Sequence, residues 1–255
     1  MLIDTHCHLT YDFSSVGGTD AVIARAVEAG VGIMICPTAD PEDVNAAIKL
    51  CEERKNIFAT IGIHPEHIGV RAADFITDAI LSHPRVLGVG EIGLDYHEME
   101  TDTHVAQQEL FVEQLEMARK HKLPVAIHTR EAEQDTADIL KTYNDINGVM
   151  HCFTSSYELA KKMLDRGFFF SASGILTFKN AAEIRDTFAK IPNDRLVVET
   201  DSPYCAPVPY RGKICEPAYV VQTAKVLSEI KNVPFEKMSA ILTENVKRLY
   251  PKIEF

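Results

Sequence analysis

Short apolar runs alternate along the chain with longer stretches whose apolar positions recur every three or four residues, the two periods of strand and helix. The runs fall at residues 2–8, 32–38, 57–64, 86–94, 124–128, 148–153, 168–173 and 196–201, and predict eight strands. Between them, Asp40 and Pro41 suit an N-cap and a first helical position, with Val44, Ala47, Ile48 and Cys51 following on one face. Leu110, Phe111, Leu115 and Ala118 mark a helix ending near Lys122, and Leu159, Met163 and Leu164 mark one stopped by Gly167. A last helix is predicted from near Pro234, with Met238, Ile241, Leu242 and Leu249 on one side. Eight strand–helix units in about 250 residues match the arithmetic of an α/β fold of the (β/α)8 TIM-barrel type. An open doubly wound sheet shares the same alternation. No linker or shift of composition divides residues 1–255, which predicts a single domain.

Hydrophobic residues make up 46% and charged residues 25%, which excludes a disordered chain, a collagen and a disulfide-built miniprotein. The balance of 26 Lys and Arg against 37 Asp and Glu leaves a net charge of −11. That argues against a broad nucleic-acid-coating surface, though not against a nuclease whose positive charge sits in a metal site. Six cysteines at irregular spacing, with no CxxC pair, fit a reduced intracellular protein. No apolar run approaches the ~20 residues of a membrane span, so no membrane partner is expected. The opening Met1-Leu2-Ile3-Asp4 has neither the basic region nor the apolar core of a signal peptide, which predicts a cytoplasmic location. No obligate protein partner is evident.

Gly88-Val89-Gly90-Glu91-Ile92-Gly93 matches the GxGxxG pattern of dinucleotide sites. The mechanism fails, because a carboxylate at Glu91 would repel the pyrophosphate that such a turn binds. The residues that follow, 94–100, show no amphipathic helix start either.

Ionisable residues gather instead at the ends of the predicted strands. His6 and His8 close the first, Glu91 and His128 lie at the ends of the fourth and fifth, His151 late in the sixth, and Asp201 ends the eighth. In a barrel those ends surround one mouth. Alternation puts His6 and His8 on one face and Cys7 on the other. Four imidazoles and two carboxylates would then converge on a volume suited to divalent cations, and six ligands suit two metals. Glu91 is the natural bridge, since each of its oxygens can reach a different metal. His67, His83, His97, His104 and His121 fall in loops or helical stretches and read as solvated.

The words carrying these residues are Asp4-Thr5-His6-Cys7-His8-Leu9, Gly62-Ile63-His64-Pro65, Gly90-Glu91-Ile92-Gly93-Leu94-Asp95-Tyr96, Pro124-Val125-Ala126-Ile127-His128-Thr129-Arg130, His151-Cys152-Phe153-Thr154, Glu199-Thr200-Asp201-Ser202-Pro203-Tyr204 and Arg211-Gly212-Lys213. In this order, over nearly the whole chain, they resemble the TatD family of metal-dependent deoxyribonucleases within the amidohydrolase-like barrels. The resemblance implies a (β/α)8 barrel that hydrolyses phosphodiester bonds, removing nucleotides from DNA 3′ ends. It also implies that His6, His8, Glu91 and Asp201 hold one metal and Glu91, His128 and His151 the other. Two positions depart from the family pattern, Cys215 before Glu216-Pro217 and Ser155 after Thr154, and both are expected at the pocket rim.

The expected chemistry is attack on phosphorus by a water activated by two divalent cations, with Mg, Mn and Zn all compatible with the ligands. Asp201 would orient that water and accept its proton. His64, without a metal in this scheme, would contact the phosphate or leaving group; the alternative is a packed histidine ahead of Pro65. Arg211 and Lys213 after the eighth strand, and Arg130 by its shared parity with His128, are candidates for binding phosphates. Asp4 and Glu199 each precede a ligand by two residues, so parity turns them inward, where they are expected to fix imidazole tautomers. The preferred substrate is single-stranded DNA. A metal-dependent ester or amide hydrolase, such as a D-aminoacyl-tRNA deacylase, is the second reading, and a non-catalytic metal-binding scaffold the third.

Overall fold

The computed structural model describes residues 1–97 and 101–253. Residues 98–100, part of the stretch read as lacking a helix start, lie outside the described residues. Strands β1 (Leu2–Asp4), β2 (Val31–Pro37), β3 (Ile57–Thr60), β4 (Val86–Asp95), β5 (Val125–Arg130), β6 (Gly148–Met150), β7 (Phe169–Ala172) and β8 (Leu196–Val198) pair in parallel in chain order. The two ends of the sheet meet. Thr5 N–H donates to Val198 O at 3.1 Å, Asp201 N–H to His6 O at 2.9 Å, and His8 N–H to Ser202 O at 2.8 Å. The sheet is therefore a (β/α)8 barrel, and the open doubly wound alternative is discarded.

Helices α1 (Thr19–Glu28), α2 (Asp43–Glu53), α3 (Asp78–Leu81), α4 (His104–His121), α5 (Glu133–Lys141), α6 (Tyr157–Leu164), α7 (Ala182–Lys190), α8 (Val220–Ile230) and α9 (Phe235–Leu249) follow the strands. Their starts and stops obey local chemistry. Ser156 caps α6 by accepting from Leu159 N–H at 3.3 Å, and Lys122 ends α4 in the left-handed conformation at φ 54. The expected start of α2 is corrected. Asp40 and Pro41 form a turn ahead of the helix, and the Asp40 side chain accepts from Glu42 N–H at 2.9 Å.

Inside the barrel, Ile3, Ile33, Ile35, Phe58, Leu87, Ala126, Val149, Phe169 and Val197 form a buried layer with at least one residue from every strand. Val246, Leu249, Tyr250 and Ile253, at and beyond the end of α9, join that layer and cover the floor. Glu91 and the histidines lie at the opposite, C-terminal end of the strands.

Several strands are shorter than their apolar runs. β1 stops at Asp4, β3 at Thr60, β6 at Met150 and β8 at Val198, so His6, His8, His64, His151 and Asp201 lie just beyond the ladder. Ladder pairing needs a neighbour alongside. At the mouth single bonds replace it, such as Cys7 N–H to Ile35 O at 3.0 Å and His64 N–H to Ala39 O at 2.8 Å. The GxGxxG segment lies wholly within β4, with no helix N-terminus to receive a pyrophosphate.

Candidate metal centre

Glu91 stands at the centre of the mouth, buried to 4% exposure, and its two oxygens divide the surrounding imidazoles. Oε2 lies 3.2 Å from His6 Nε2 and 3.6 Å from His8 Nε2. Asp201 Oδ1 joins this side, 3.5 Å from His8 Nε2 and 3.9 Å from His6 Nε2. Oε1 lies 2.9 Å from His128 Nδ1, 3.0 Å from His151 Nε2 and 3.7 Å from His64 Nε2. All of the expected imidazoles and carboxylates thus meet around one carboxylate, and His64 comes with them.

The backbone beneath Glu91 explains its position. Its N–H donates to Thr38 O at 3.0 Å, and the Thr38 hydroxyl donates to Gly62 O at 2.7 Å and accepts from Gly62 N–H at 2.9 Å. A Cβ at Gly62 would come within 2.7 Å of Gly90 C and 2.8 Å of Glu91 O, so only glycine lets β4 approach this closely. Gly93 sits at φ 143, and a Cβ there would run into His128 O, so no side chain fits at this position of β4 against β5.

Neighbours then set the charge states. Burial opposes ionisation of Glu91, but the His151 and His6 imidazoles outweigh it and hold the carboxyl well below its usual range. Burial pushes Asp201 up, and His8, His151 and His6 outweigh it in the same way. His128 is pushed up to about 9, because bonds to Asp95 and Glu91 overcome its burial. His64 is pushed down to about 3, chiefly by burial, and is neutral. Its Nδ1 accepts from Glu66 N–H at 3.3 Å, which leaves the ring proton on Nε2, facing the cavity.

A second tier of polar groups orients the rings. Glu199 Oε1 stands 3.0 Å from His151 Nδ1 and accepts from Cys152 N–H at 2.8 Å. Asp4 differs from the expectation. It turns to Thr200, accepting from its N–H at 3.0 Å and its hydroxyl at 2.5 Å, and touches no imidazole among the described residues. The reason lies in barrel closure, which brings the β8 backbone directly beside β1 and offers Asp4 two donors nearer than any ring.

Asp95 was missed by the sequence reading, yet its Oδ2 lies 2.9 Å from His128 Nε2. It shares the parity of Glu91 along β4, and that alternation was the available signal. Gln107 and Gln114 on α4 were missed as well. Gln107 accepts from Asp95 N–H at 2.9 Å and donates to Asp95 O at 2.7 Å. Gln114 treats Ile63, next to His64, identically, at 2.8 and 3.0 Å.

A cavity of about 650 Å³ opens above the centre, lined among others by His8, Tyr11, His64, Glu91, Asp95, His128, Arg130, His151, Cys152, Asp201, Tyr204 and Cys205. Arg211 and Lys213 are absent from this lining. Arg211 lies over the Phe178 ring at 4.3 Å, and Lys213 lies 5.9 Å from the Tyr210 ring. Cys215 is fully buried and Ser155 lines a separate pocket, so neither stands at the rim expected for it. His67, His83, His97, His104 and His121 stay outside the cavity and face surface partners such as Asp40, Glu52, Glu131, Tyr96 and Asp78.

The donor set fits divalent cations. Among the described residues every ion pair of Glu91 and Asp201 is to an imidazole, and His8 Nδ1 is buried without a hydrogen-bond partner. His6, His8 and Asp201 form one group of donor atoms within 4.8 Å of one another, and Glu91, His128 and His151 form another, which suits such ions.

Comparison with known proteins agrees. The model of the family described as TatD related DNase matches residues 3–251. The chain is 39% identical over 254 residues to an uncharacterized metal-dependent hydrolase, YabD, of Bacillus subtilis, covering 98% of this chain and 99% of that one. It is 38% identical over 253 residues to another, YcfH, of Escherichia coli, covering 98% and 95%. The crystal structure of YjjV, a TatD homologue from Escherichia coli, superposes with a TM-score of 0.86 at 29% identity, over 98% of both chains. The chain belongs to the TatD-related DNase family of metal-dependent hydrolases.

Proposed function

We propose that the chain hydrolyses phosphodiester bonds of DNA, releasing nucleotides from single-stranded 3′ ends, and that it would do so with two divalent cations (Mg, Mn or Zn). The observation that carries this reading is the division of the imidazoles between the two oxygens of Glu91, 3.2 and 3.6 Å on one side and 2.9 and 3.0 Å on the other. In this reading His6, His8, Glu91 and Asp201 hold one cation, and Glu91, His128 and His151 the other. Cations held there would activate a water and offset charge on a phosphoryl oxygen.

The chain's own groups supply the rest. Asp201, held ionised by the neighbouring His8, His151 and His6, orients the attacking water and takes its proton. Neutral His64 donates Nε2–H to a phosphoryl or leaving-group oxygen. Glu199, 3.0 Å from His151 Nδ1, would favour the ring proton there and so leave Nε2 free to bind a cation. Arg130, on the cavity wall, pairs with a neighbouring phosphate.

The test digests 3′-labelled single-stranded DNA and D-aminoacyl-tRNA in parallel, after chelation and with Mg, Mn or Zn restored. Nucleotide release that needs the restored metal is expected, and Asp201→Asn should slow it ~10²–10⁴-fold. Release of free D-amino acid in place of nucleotides, or turnover by Asp201→Asn equal to wild type, would overturn the assignment.

A further inference from the structure

Two thiols on the cavity wall take no part in the chemistry above. Cys152 follows β6 and Cys205 follows β8, and both line the cavity beside Asp201. They are partly exposed, whereas Cys7, Cys36, Cys51 and Cys215 are buried to 0–1%. Asp201 divides its oxygens between two neighbourhoods. Oδ1 faces His8 and His6, and Oδ2 lies 3.5 Å from Cys205 Sγ. Both sulfurs and an Asp201 oxygen lie within 4.8 Å of one another. Cys152 Sγ also donates to Ser173 Oγ at 3.1 Å, which fixes its direction.

We propose that Cys152, Cys205 and Asp201 Oδ2 form a third cation site, selective for thiophilic ions such as Zn2+ and Cd2+ over Mg2+ and sharing Asp201 with the imidazole–carboxylate centre. The dimensions suit a tetrahedral ion. Bonds of ~2.3 Å to sulfur and ~2.0–2.2 Å to oxygen span an S···O edge of about 3.5 Å at the tetrahedral angle, and Cys205 Sγ to Asp201 Oδ2 is 3.5 Å. Three protein ligands leave the fourth position open to water on the cavity side. Thiolates favour soft ions over Mg2+, so the selectivity follows from the sulfurs. Binding releases both thiol protons to solvent and forms two metal–sulfur bonds, with no oxidant required.

Occupation would engage Asp201 through Oδ2 while His8 and His6 hold Oδ1. A soft cation therefore acts as an inhibitor of Mg-supported turnover. The binding site stands on its own geometry; only this inhibitory consequence rests on the proposed hydrolysis.

The experiment titrates Cd2+ into the metal-stripped chain, kept reduced with a phosphine and saturated with Mg2+, and follows the ultraviolet thiolate-to-cadmium charge-transfer band. One equivalent of band per chain is expected. Cys152→Ser and Cys205→Ser should each weaken it by more than the ~10–100-fold that loss of an outer partner costs. Cys205→Ala, which offers no donor at all, should behave like Cys205→Ser, and circular dichroism checks that each variant is folded. Glu91→Gln, which disables the imidazole–carboxylate centre, should keep the band, so the two readings fail separately. Cd2+ should abolish Mg-supported nucleotide release by wild type but not by Cys205→Ser. No band, a band untouched by either serine, a band removed by Mg2+, or a Cys152–Cys205 disulfide in place of bound cadmium would each overturn the proposal.

Discussion

Asp4 and Glu91 are both buried carboxylates near the same histidines, yet their surroundings drive them in opposite directions. Glu91 faces imidazoles and stays ionised, whereas burial outweighs the Thr200 bonds of Asp4 and holds its carboxyl well above the usual aspartate range. The raised value has a defined consequence for stability. A carboxyl that holds its proton more tightly when folded contributes fully below the unfolded pKa of ~3.9, and that contribution is lost as pH rises toward the folded value. Asp4→Asn, neutral at every pH, should remove this slope. Its melting temperature relative to wild type should climb as pH rises above about 4, the unfolded value. Asp4→Ala, which strands the Thr200 N–H and hydroxyl, should cost ~1–3 kcal/mol in urea unfolding for each orphaned group. Strand parity was enough to bring His6, His8 and Glu91 to one mouth, but it could not say which neighbour Asp4 would choose. That choice depends on donors of Thr200, just past β8 and 196 residues away in sequence.

Helix α4 shows what periodicity conveys and what it hides. The apolar face of Leu110, Phe111, Leu115 and Ala118 is legible in the sequence and buried in the structure. Gln107 and Gln114 occupy the same buried face, and a pattern read for hydrophobicity treats them as lapses. Each amide pairs both backbone groups of one residue, Asp95 or Ile63, and so anchors His128's partner and the residue next to His64. Gln114→Leu fits the volume but leaves Ile63 N–H and C=O unpaired. A loss of ~2–6 kcal/mol in denaturant unfolding is expected from two orphaned groups, along with reduced turnover as His64 loses its mooring. The strands repeat the lesson. Apolar runs overshoot strand ends because the chain stays buried past the last ladder pair, as at His6 and Glu199.

For the whole molecule, a net charge of −11 means that long-range attraction for a polyanion is weak, and phosphate contact must be local. Arg130 is the guanidinium on the cavity wall, while Arg211 and Lys213 lie over aromatic rings away from it. Measured in an Asp201→Asn background, where turnover is slowed, Arg130→Gln should reduce the log–log salt slope for single-stranded DNA by ~0.7, the value for one lost phosphate contact. Arg211→Gln and Lys213→Gln should change it less. An equal change in all three would return Arg211 and Lys213 to the phosphate-binding surface. The barrel makes such a division possible, because α9 seals the floor and leaves the mouth as the open end of the inner layer.

Alternation of strand and helix, ligand types at strand ends and their two-residue spacing are local properties, so the sequence alone determined the eight strand–helix units and six members of the imidazole–carboxylate cluster, while closure of the sheet and the place of Asp95 came from the tertiary structure. Nothing local decides which oxygen of Glu91 faces which ring, that Asp4 serves Thr200 and Glu199 serves His151, or that Cys152 and Cys205 stand together against Asp201. Those pairings join residues from different strands, up to 196 positions apart. They exist only because closure of the sheet brings the first and last strands into contact, and a pattern along the chain carries no information about distances across it.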